Sequence, residues 1–424
     1  EVCRMVLPAC FPAARRGVIG GVIALLIAPL GLSGVAAQEP VRLVSRNEAV
    51  LQAAAGPNLA IARADTVSAF AELLNARSRQ NPALSTEYTK SAPQYHLRLE
   101  LPVALPGIRG LRIGAAESAR VSAGIRYAYA RASADLVADT TYTRAIAARE
   151  RMSLSLRNAQ DAGTLRKIAI ARRNAGDASD LDVELATVFA GQAANSAAAD
   201  SLAFQSIVLD LQAVMGLADS GVSIYPSDSL GLPPPQSRGF ANGSSTLNVR
   251  AAQLSVEAAQ LALRVERRSI FSGMAVSAGL ETHDPSGSQK GMLPVFGLII
   301  PLPILNRNTG AIALARANEM RANAELQLAR IQSRTEIARV ERELATAVLR
   351  IELDKSIVTA ANRVASMSLT AYREGAAPLT TSLEAQRSAR ETLMQYIDDI
   401  ASAWIASAEL RVLTMTFTEL SPLR

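Results

Sequence analysis

The stretch Val295-Phe-Gly-Leu-Ile-Ile-Pro-Leu-Pro-Ile-Leu-Asn-Arg-Asn-Thr-Gly-Ala-Ile-Ala-Leu-Ala-Arg-Ala317 changes its period partway through. Up to Pro303 it reads as a β-strand, with bulky apolar residues at alternate positions: Phe296, Leu298, Ile300 and Leu302. After Asn308 the alternation stops. Between Gly310 and Gly375 no Gly or Pro interrupts a run dominated by Ala, Leu, Glu, Arg and Gln, the composition of one very long helix. At about 1.5 Å per residue such a helix extends on the order of 100 Å, far beyond what a globular core needs.

The same switch occurs once upstream. Tyr95-His-Leu-Arg-Leu-Glu-Leu-Pro-Val-Ala-Leu105 alternates strictly, and a proline-free helical run follows from 107 to 175. Aligning Leu101-Pro102 with Ile300-Pro301 gives an offset of 199 residues, and Ala171-Arg-Arg-Asn-Ala-Gly176 and Ala371-Tyr-Arg-Glu-Gly375 end on glycines at that same offset. A register held from strand to glycine marks an internal duplication of one large unit, too long to be a solenoid repeat.

Each copy opens with a hairpin. In the first, 83–105, Leu84, Thr86 and Tyr88 share a face opposite Ser85 and Glu87, and after a short turn at 90–94 Leu97, Leu99, Leu101, Val103 and Leu105 oppose His96, Arg98 and Glu100. In the second, 274–303, Met274, Val276, Ala278 and Leu280 oppose Ala275, Ser277, Gly279 and Glu281. A leucine face backed by a charged face suits a wall between lipid and water. One such hairpin would more often be a soluble sheet on a core, but its repetition favours the wall. Four strands cannot close a barrel, and open edges in lipid leave backbone groups without partners, so several copies must combine, two giving eight strands and three giving twelve.

The remaining sequence sets boundaries. Arg15-Arg16, an apolar run from Gly17 and the small residues Val35-Ala36-Ala37 have the layout of a signal peptide, 1–37. Both cysteines, Cys3 and Cys10, precede that run, so the mature chain is expected to hold no disulfide, thiolate site or lipid anchor at the cleavage point. The first repeat is read as 38–216, a linker as 217–246 around Pro233-Pro-Pro235, the second repeat as 247–417 and a tail as 418–424. A helix over 48–78 is interrupted at Gly56-Pro57-Asn58, with Asn58 as the expected cap of its second part. Each long helix is followed, past its glycine, by a returning helix, 179–215 and 379–417. These helices lack the sustained apolar heptad with flanking charges that a coiled-coil filament requires.

The formal charge of +6 is spread along the helices, not clustered as a nucleic-acid patch would be. No nucleophile elbow, zinc helix motif or phosphate loop is present, so neither an enzyme nor a cofactor is expected. His96 and His283 lie in different hairpins without further ligands, and both read as ordinary pore or loop residues.

With these residues quoted, the chain resembles the TolC-like outer membrane efflux protein family over its mature length. The resemblance rests on the duplication, Asn81-Pro82 before the first hairpin, the switch Ile300-Pro-Leu-Pro-Ile-Leu-Asn-Arg-Asn-Thr-Gly310, and Tyr372-Arg-Glu-Gly375 followed by Leu383-Glu-Ala-Gln386. The wording at Pro301, Pro303, Asn306, Arg307, Asn308 and Gly310 looks most like the heavy-metal branch serving resistance-nodulation-division pumps, and Pro102 marks the strand-to-helix switch of the first copy. The resemblance implies a mainly α protein with β: a homotrimer whose hairpins form a twelve-stranded barrel in outer membrane lipid, continuous with a twelve-helix periplasmic α-barrel. An equatorial belt would draw on residues near 38–49, the linker and the tail. It further implies a passive conduit in a Gram-negative envelope, partnered by a periplasmic adaptor and an inner-membrane pump. Drug efflux and type I protein secretion remain alternatives, and a structural helical periplasmic protein is the alternative from another class.

In the family acidic side chains beyond the glycine turns narrow the pore. With Gly176 and Gly375 as the periplasmic turns, Asp182 stands at the matching position six past the first; six past the second is Thr381, which departs from the pattern, and Glu384, nine past it, is the acid that takes the role. Tyr372 matches the tyrosine that ties the closed tip, although its usual basic partner position holds Ala377. Ser179-Asp-Leu-Asp182 and Thr381-Ser-Leu-Glu384 also have capping-box spacing, so helix capping stands beside the pore role for both acids.

Overall fold

Two helices set the scale: α3 (Ile108–Asn174) and α6 (Thr309–Arg373). The computed structural model describes residues 42–54, 56–103, 107–217, 222–234, 246–271, 273–283 and 291–416. The expected signal peptide 1–37 and tail 418–424 lie outside them. Ahead of α3 come β1 (Arg42–Val44), α1 (Arg46–Ala53), α2 (Pro57–Arg77), β2 (Ala83–Tyr88) and β3 (Tyr95–Pro102). After it come α4 (Asp180–Val214), β4 (Ile224–Pro226), α5 (Leu247–Arg268), β5 (Ala275–Thr282) and β6 (Leu293–Ile299), and after α6 comes α7 (Leu379–Leu413).

Each long helix, about 100 Å at 1.5 Å per residue, outruns any single partner. The first part of α3 packs on α2 and α5, and α5 also packs on α6, where Val249 and Val256 meet Ala322, Leu326 and Ala329. Farther along, α4 runs back against α3 and α7 against α6. Much of what is buried is alanine, among it Ala138, Ala145, Ala162 and Ala169 in α3 and Ala186, Ala193 and Ala197 in α4, and side chains this small let helix axes approach closely.

The four longer strands form one antiparallel sheet, ordered β2-β3-β5-β6. Its register puts Leu84 opposite Leu99, Leu97 opposite Leu280, and Leu101, Val276 and Leu298 in one row. That face has no cover, with Phe296 80% and Leu84 66% exposed. The other face carries Glu87, His96 and Glu281 in one row, and Ser85, Arg98 and Gly279 in the next. Glycine at 279 is forced: a Cβ there would stand 2.7 Å from the Leu97 carbonyl oxygen.

Three boundaries differ from those expected. The strand read up to Pro303 ends at Ile299, because Pro301 and Pro303 have no N–H for a ladder, and the Ile304 N–H turns back to the Leu302 carbonyl (2.8 Å). In the first copy β3 runs to Pro102, the Val103 N–H still donates to the Met274 carbonyl (2.8 Å), and residues 104–106 lie outside the described ones. The second part of the early helix is capped by Gly56 with Pro57 at its first position, not by Asn58, since proline's fixed φ starts a helix where its missing N–H does no harm. Finally, α7 stops at Leu413, and Thr416 pairs with Thr246 instead of extending the helix.

Halfway along the helices, β1 and β4 pair in parallel beside α3. Val44, Ile224, Tyr142, Phe204 and Leu211 form the core there. The Tyr142 hydroxyl donates to the Val44 carbonyl (2.8 Å), and Arg149 donates to the Pro226 (2.6 Å) and Asp228 (2.8 Å) carbonyls. Arg46 engages the Asp139 carboxylate and lies 4.1 Å over the Trp404 ring, tying α1 to α3 and α7.

Candidate pore aperture and sheet-to-helix junction

Gly176 and Gly375 end the two long helices in the same way. With φ of +88° and +77° they occupy the left-handed region that closes a helix. The Gly176 and Asp177 N–H groups donate to the Arg173 (3.0 Å) and Arg172 (2.9 Å) carbonyls, and the Gly375 and Ala376 N–H groups to Tyr372 (3.2 Å) and Ala371 (2.8 Å). Both turns are Schellman closures, and they lie side by side: Leu165, Ala169 and Ala186 of the first helical hairpin pack with Tyr372 and Leu379 of the second.

The two acids expected at this tip are held differently. Asp182 is the third residue of a capping box: the Ser179 N–H donates to Asp182 Oδ2 and the Asp182 N–H to Ser179 Oγ, both at 3.1 Å. The capping reading fails for Glu384. Helix α7 starts from Pro378, which is extended and offers no side-chain acceptor, so Thr381 already lies inside the first turn and Glu384 beyond it, exposed beside Arg387. Asp180 is drawn aside by Arg173 (2.8 Å).

Tyr372 is buried, with its hydroxyl lacking a partner. Its basic neighbour is Arg172, from the other hairpin. The Arg172 guanidinium stands 4.9 Å from the ring centroid and donates to the Tyr372 carbonyl (2.5 Å) and to the Asp177 carbonyl (3.2 Å). Burial pushes the phenol's pKa up; Arg172 pulls it down and the nearby Asp182 carboxylate pushes it up. No sequence signal announces this pairing, because its members stand 200 residues apart.

At the opposite end, the switch residues form a joint. Asn308 sits at φ +57° as the N-cap of α6, and Gly107 sits at φ +87° in the same role for α3. The Asn308 amide nitrogen, Nδ2, lies 2.9 Å from Glu266 Oε2, 3.0 Å from the Glu266 carbonyl and 2.8 Å from Ser269 Oγ, joining the start of α6 to the end of α5. Asn306 accepts the Asn308 N–H (2.9 Å). Arg307 and Gly310 are exposed, and nothing stands within 4 Å of where a Cβ on Gly310 would be. Pro301 and Pro303 follow the end of β6, and Pro102 is the last residue of β3, paired with Ala275.

His96 faces Glu281 (3.1 Å) and Thr89 (3.3 Å), while His283 lies against the Tyr95 ring. Among the described residues no three His, Cys, Asp or Glu side chains converge as a metal site would require.

Known proteins share this sequence pattern and geometry. The family described as "Outer membrane efflux protein" matches residues 244–414. The cobalt-zinc-cadmium resistance protein CzcC of Cupriavidus metallidurans is 25% identical over 372 residues, covering 86% of this chain and 88% of that one. Among solved structures, the outer membrane protein VceC of Vibrio cholerae superposes with a TM-score of 0.73 at 18% identity, over 88% of this chain and 96% of that chain. CusC, solved in connection with transmembrane channel formation, superposes at 0.73 and 14% identity, over 89% and 94%. Over residues 244–414 the chain is similar to the outer membrane efflux proteins, and its sheet, long helices and returning helices share the fold of VceC and CusC.

Proposed function

We propose that three copies of this chain form an outer membrane channel, a passive conduit that completes a tripartite efflux pump. The observation that carries the reading is the sheet. It has an uncovered apolar face and two open edges, β2 and β6, which run antiparallel to each other. In lipid an unpaired edge leaves its N–H and C=O groups unsatisfied at several kcal/mol each, so each β6 must meet the β2 of a neighbouring copy. That junction is antiparallel like the others, and twelve strands enclose water where eight would be filled by side chains. Four helices per copy at each level then give twelve around a common bore. The exposed Leu314, Leu328, Ile331, Leu349 and Ile357 of α6 are apolar surface that neighbouring copies would cover.

Within this assembly the hairpin tips carrying Gly176 and Gly375 are the periplasmic end, and Asp182 and Glu384 are the candidates for rings at its aperture. An adaptor protein and an inner-membrane pump would dock there. Heavy-metal cations are the proposed cargo, on the likeness to CzcC; the protein itself needs only a wet, mildly acidic path. The test is the purified full chain in detergent and in planar bilayers. A heat-sensitive trimer that conducts ions supports the reading, and a non-conducting monomer stable in aqueous buffer overturns it. Loss of cobalt, zinc or cadmium tolerance on deleting the chain would support the cargo.

A further inference from the structure

Below the sheet, the surface passes from hydrocarbon to guanidinium within a few residues. Strands of six to eight residues, tilted as barrel strands are, rise roughly 15–20 Å, short of the roughly 25 Å apolar band of an outer membrane barrel. The segments just after the strands make up the difference: Leu302 and Ile304 are each 73% exposed, Leu305 is fully exposed, and Val103 follows β3 in the same way. The opposite rim carries the exposed Tyr88 and Tyr95, rings 5.3 Å apart, as an aromatic girdle would.

Six exposed arginines come next, from four parts of the chain: Arg77 ending α2, Arg109 and Arg112 opening α3, Arg267 and Arg268 ending α5, and Arg307 ahead of α6. The fold gathers them. Arg109 donates to the Arg77 carbonyl (2.8 Å), and a Cβ on Gly107 would stand 2.9 Å from Arg268 Nη1, so that guanidinium lies across the start of α3. The acids nearby are engaged, Glu266 by Asn308 and Ser269, and Glu117 by Arg120 and, at 3.9 Å, by Arg77 of the collar itself, while among the described residues no carboxylate pairs with the other five guanidiniums.

We propose that this collar binds the headgroup phosphates of anionic phospholipids in the leaflet facing the helices, fixing the depth and tilt at which the barrel sits. The inference rests on the outer membrane channel reading. The guanidinium fork matches phosphate oxygens two at a time, and the exposed apolar loop beside it continues the surface that meets the acyl chains. Free phosphate would have no use for that loop, so lipid is the occupant the surface fits.

Native mass spectrometry of the purified full chain, with phosphatidylglycerol or phosphatidylethanolamine of equal chain length added in separate samples, tests it. Phosphatidylglycerol should be retained about tenfold more than phosphatidylethanolamine. The R109Q/R268Q/R307Q variant should lose that preference, each arginine near the surface being worth about fivefold, while the matching Lys variant should keep part of it. Equal retention of the two lipids by the wild type overturns the collar and requires no variant to assemble; unchanged preference in the Gln variant overturns it as well. Conductance of the same sample in phosphatidylethanolamine bilayers separates the two ideas. A sample that conducts without lipid preference strikes only the collar, and one that prefers phosphatidylglycerol yet never conducts strikes only the channel.

Discussion

Asn308 is the residue whose loss should be felt most for its size. It stands in the left-handed region, where asparagine is tolerated and alanine costs about 1–2 kcal/mol. Its amide nitrogen bonds a carboxylate at 2.9 Å and a hydroxyl at 2.8 Å. A bond to a charged group is worth roughly 1.5–3 kcal/mol and a neutral one about 1. These contributions share one side chain and do not add fully, so Asn308→Ala should destabilise each protomer by about 2–4 kcal/mol. Asn308→Gly loses the same bonds but not the backbone preference, and should be the milder by about 1 kcal/mol. Asn308→Asp keeps the shape and the left-handed tolerance, yet turns a carboxylate toward Glu266. It should be the worst of the three at pH 7 and recover as pH falls toward 4, when the two facing carboxylates come to share a proton.

Thermal unfolding of the purified full chain in detergent, followed by far-UV circular dichroism, reads the order directly. The midpoints should run wild type, Gly, Ala, Asp at pH 7, with the Asp variant alone gaining on the others near pH 4. If Ala melts with the wild type, the joint between α5 and α6 contributes nothing and Asn308 is an incidental cap. If Asp is no worse than Ala at neutral pH, the Glu266 carboxylate is not the partner that matters.

At the aperture, Glu384→Gln should lower cation over anion selectivity in planar bilayers without shifting the melting midpoint, whereas Asp182→Asn should also cost about 1 kcal/mol through its capping box; unchanged reversal potentials in both would count against acidic rings. Tyr372→Phe removes a buried hydroxyl that has no partner, so stability should hold or rise by about 1 kcal/mol, while Arg172→Ala should loosen the tip and raise its proteolysis at the turns. Asp354 has a buried, unpartnered carboxylate oxygen, and burial together with the Asp399 carboxylate raises its pKa above the ordinary value near 4. An acid raised in this way destabilises the fold once ionised, so Asp354→Asn should melt higher at pH 7, with the gain fading as pH falls toward 4. A constant difference across that range would mean its protonation is irrelevant.

Most of the architecture could be read from local pattern, and what could not be read has a common cause. The long helices were visible because no Gly or Pro interrupts them, and the hairpins because leucines alternate with charges. The partners of Asn308 and Tyr372 were invisible, since Glu266 is 42 residues away and Arg172 is 200. No spacing rule reaches that far. Helix α7 starts at Leu379, where the pattern puts it, but its cap is not the one that the capping-box spacing of Thr381 and Glu384 suggests, because Pro378, three residues earlier, sets the backbone that begins the helix.

The misplaced end of β6 says more. Ile300, Leu302 and Ile304 continue the alternation of Phe296 and Leu298, yet the ladder stops at Ile299. Apolar periodicity records which side of the chain meets an apolar surrounding; hydrogen bonding requires N–H groups, which Pro301 and Pro303 lack. In a soluble sheet the two signals end together, because a strand that leaves the ladder leaves the core. Here they part by several residues, and Leu302, Ile304 and Leu305 remain bare in the protomer. Residues that keep an apolar pattern after losing their strand need an apolar surrounding that the protein does not itself provide, and the arginines that follow at once, at Arg307 and across the neighbouring helix ends, mark where that surrounding gives way to charge.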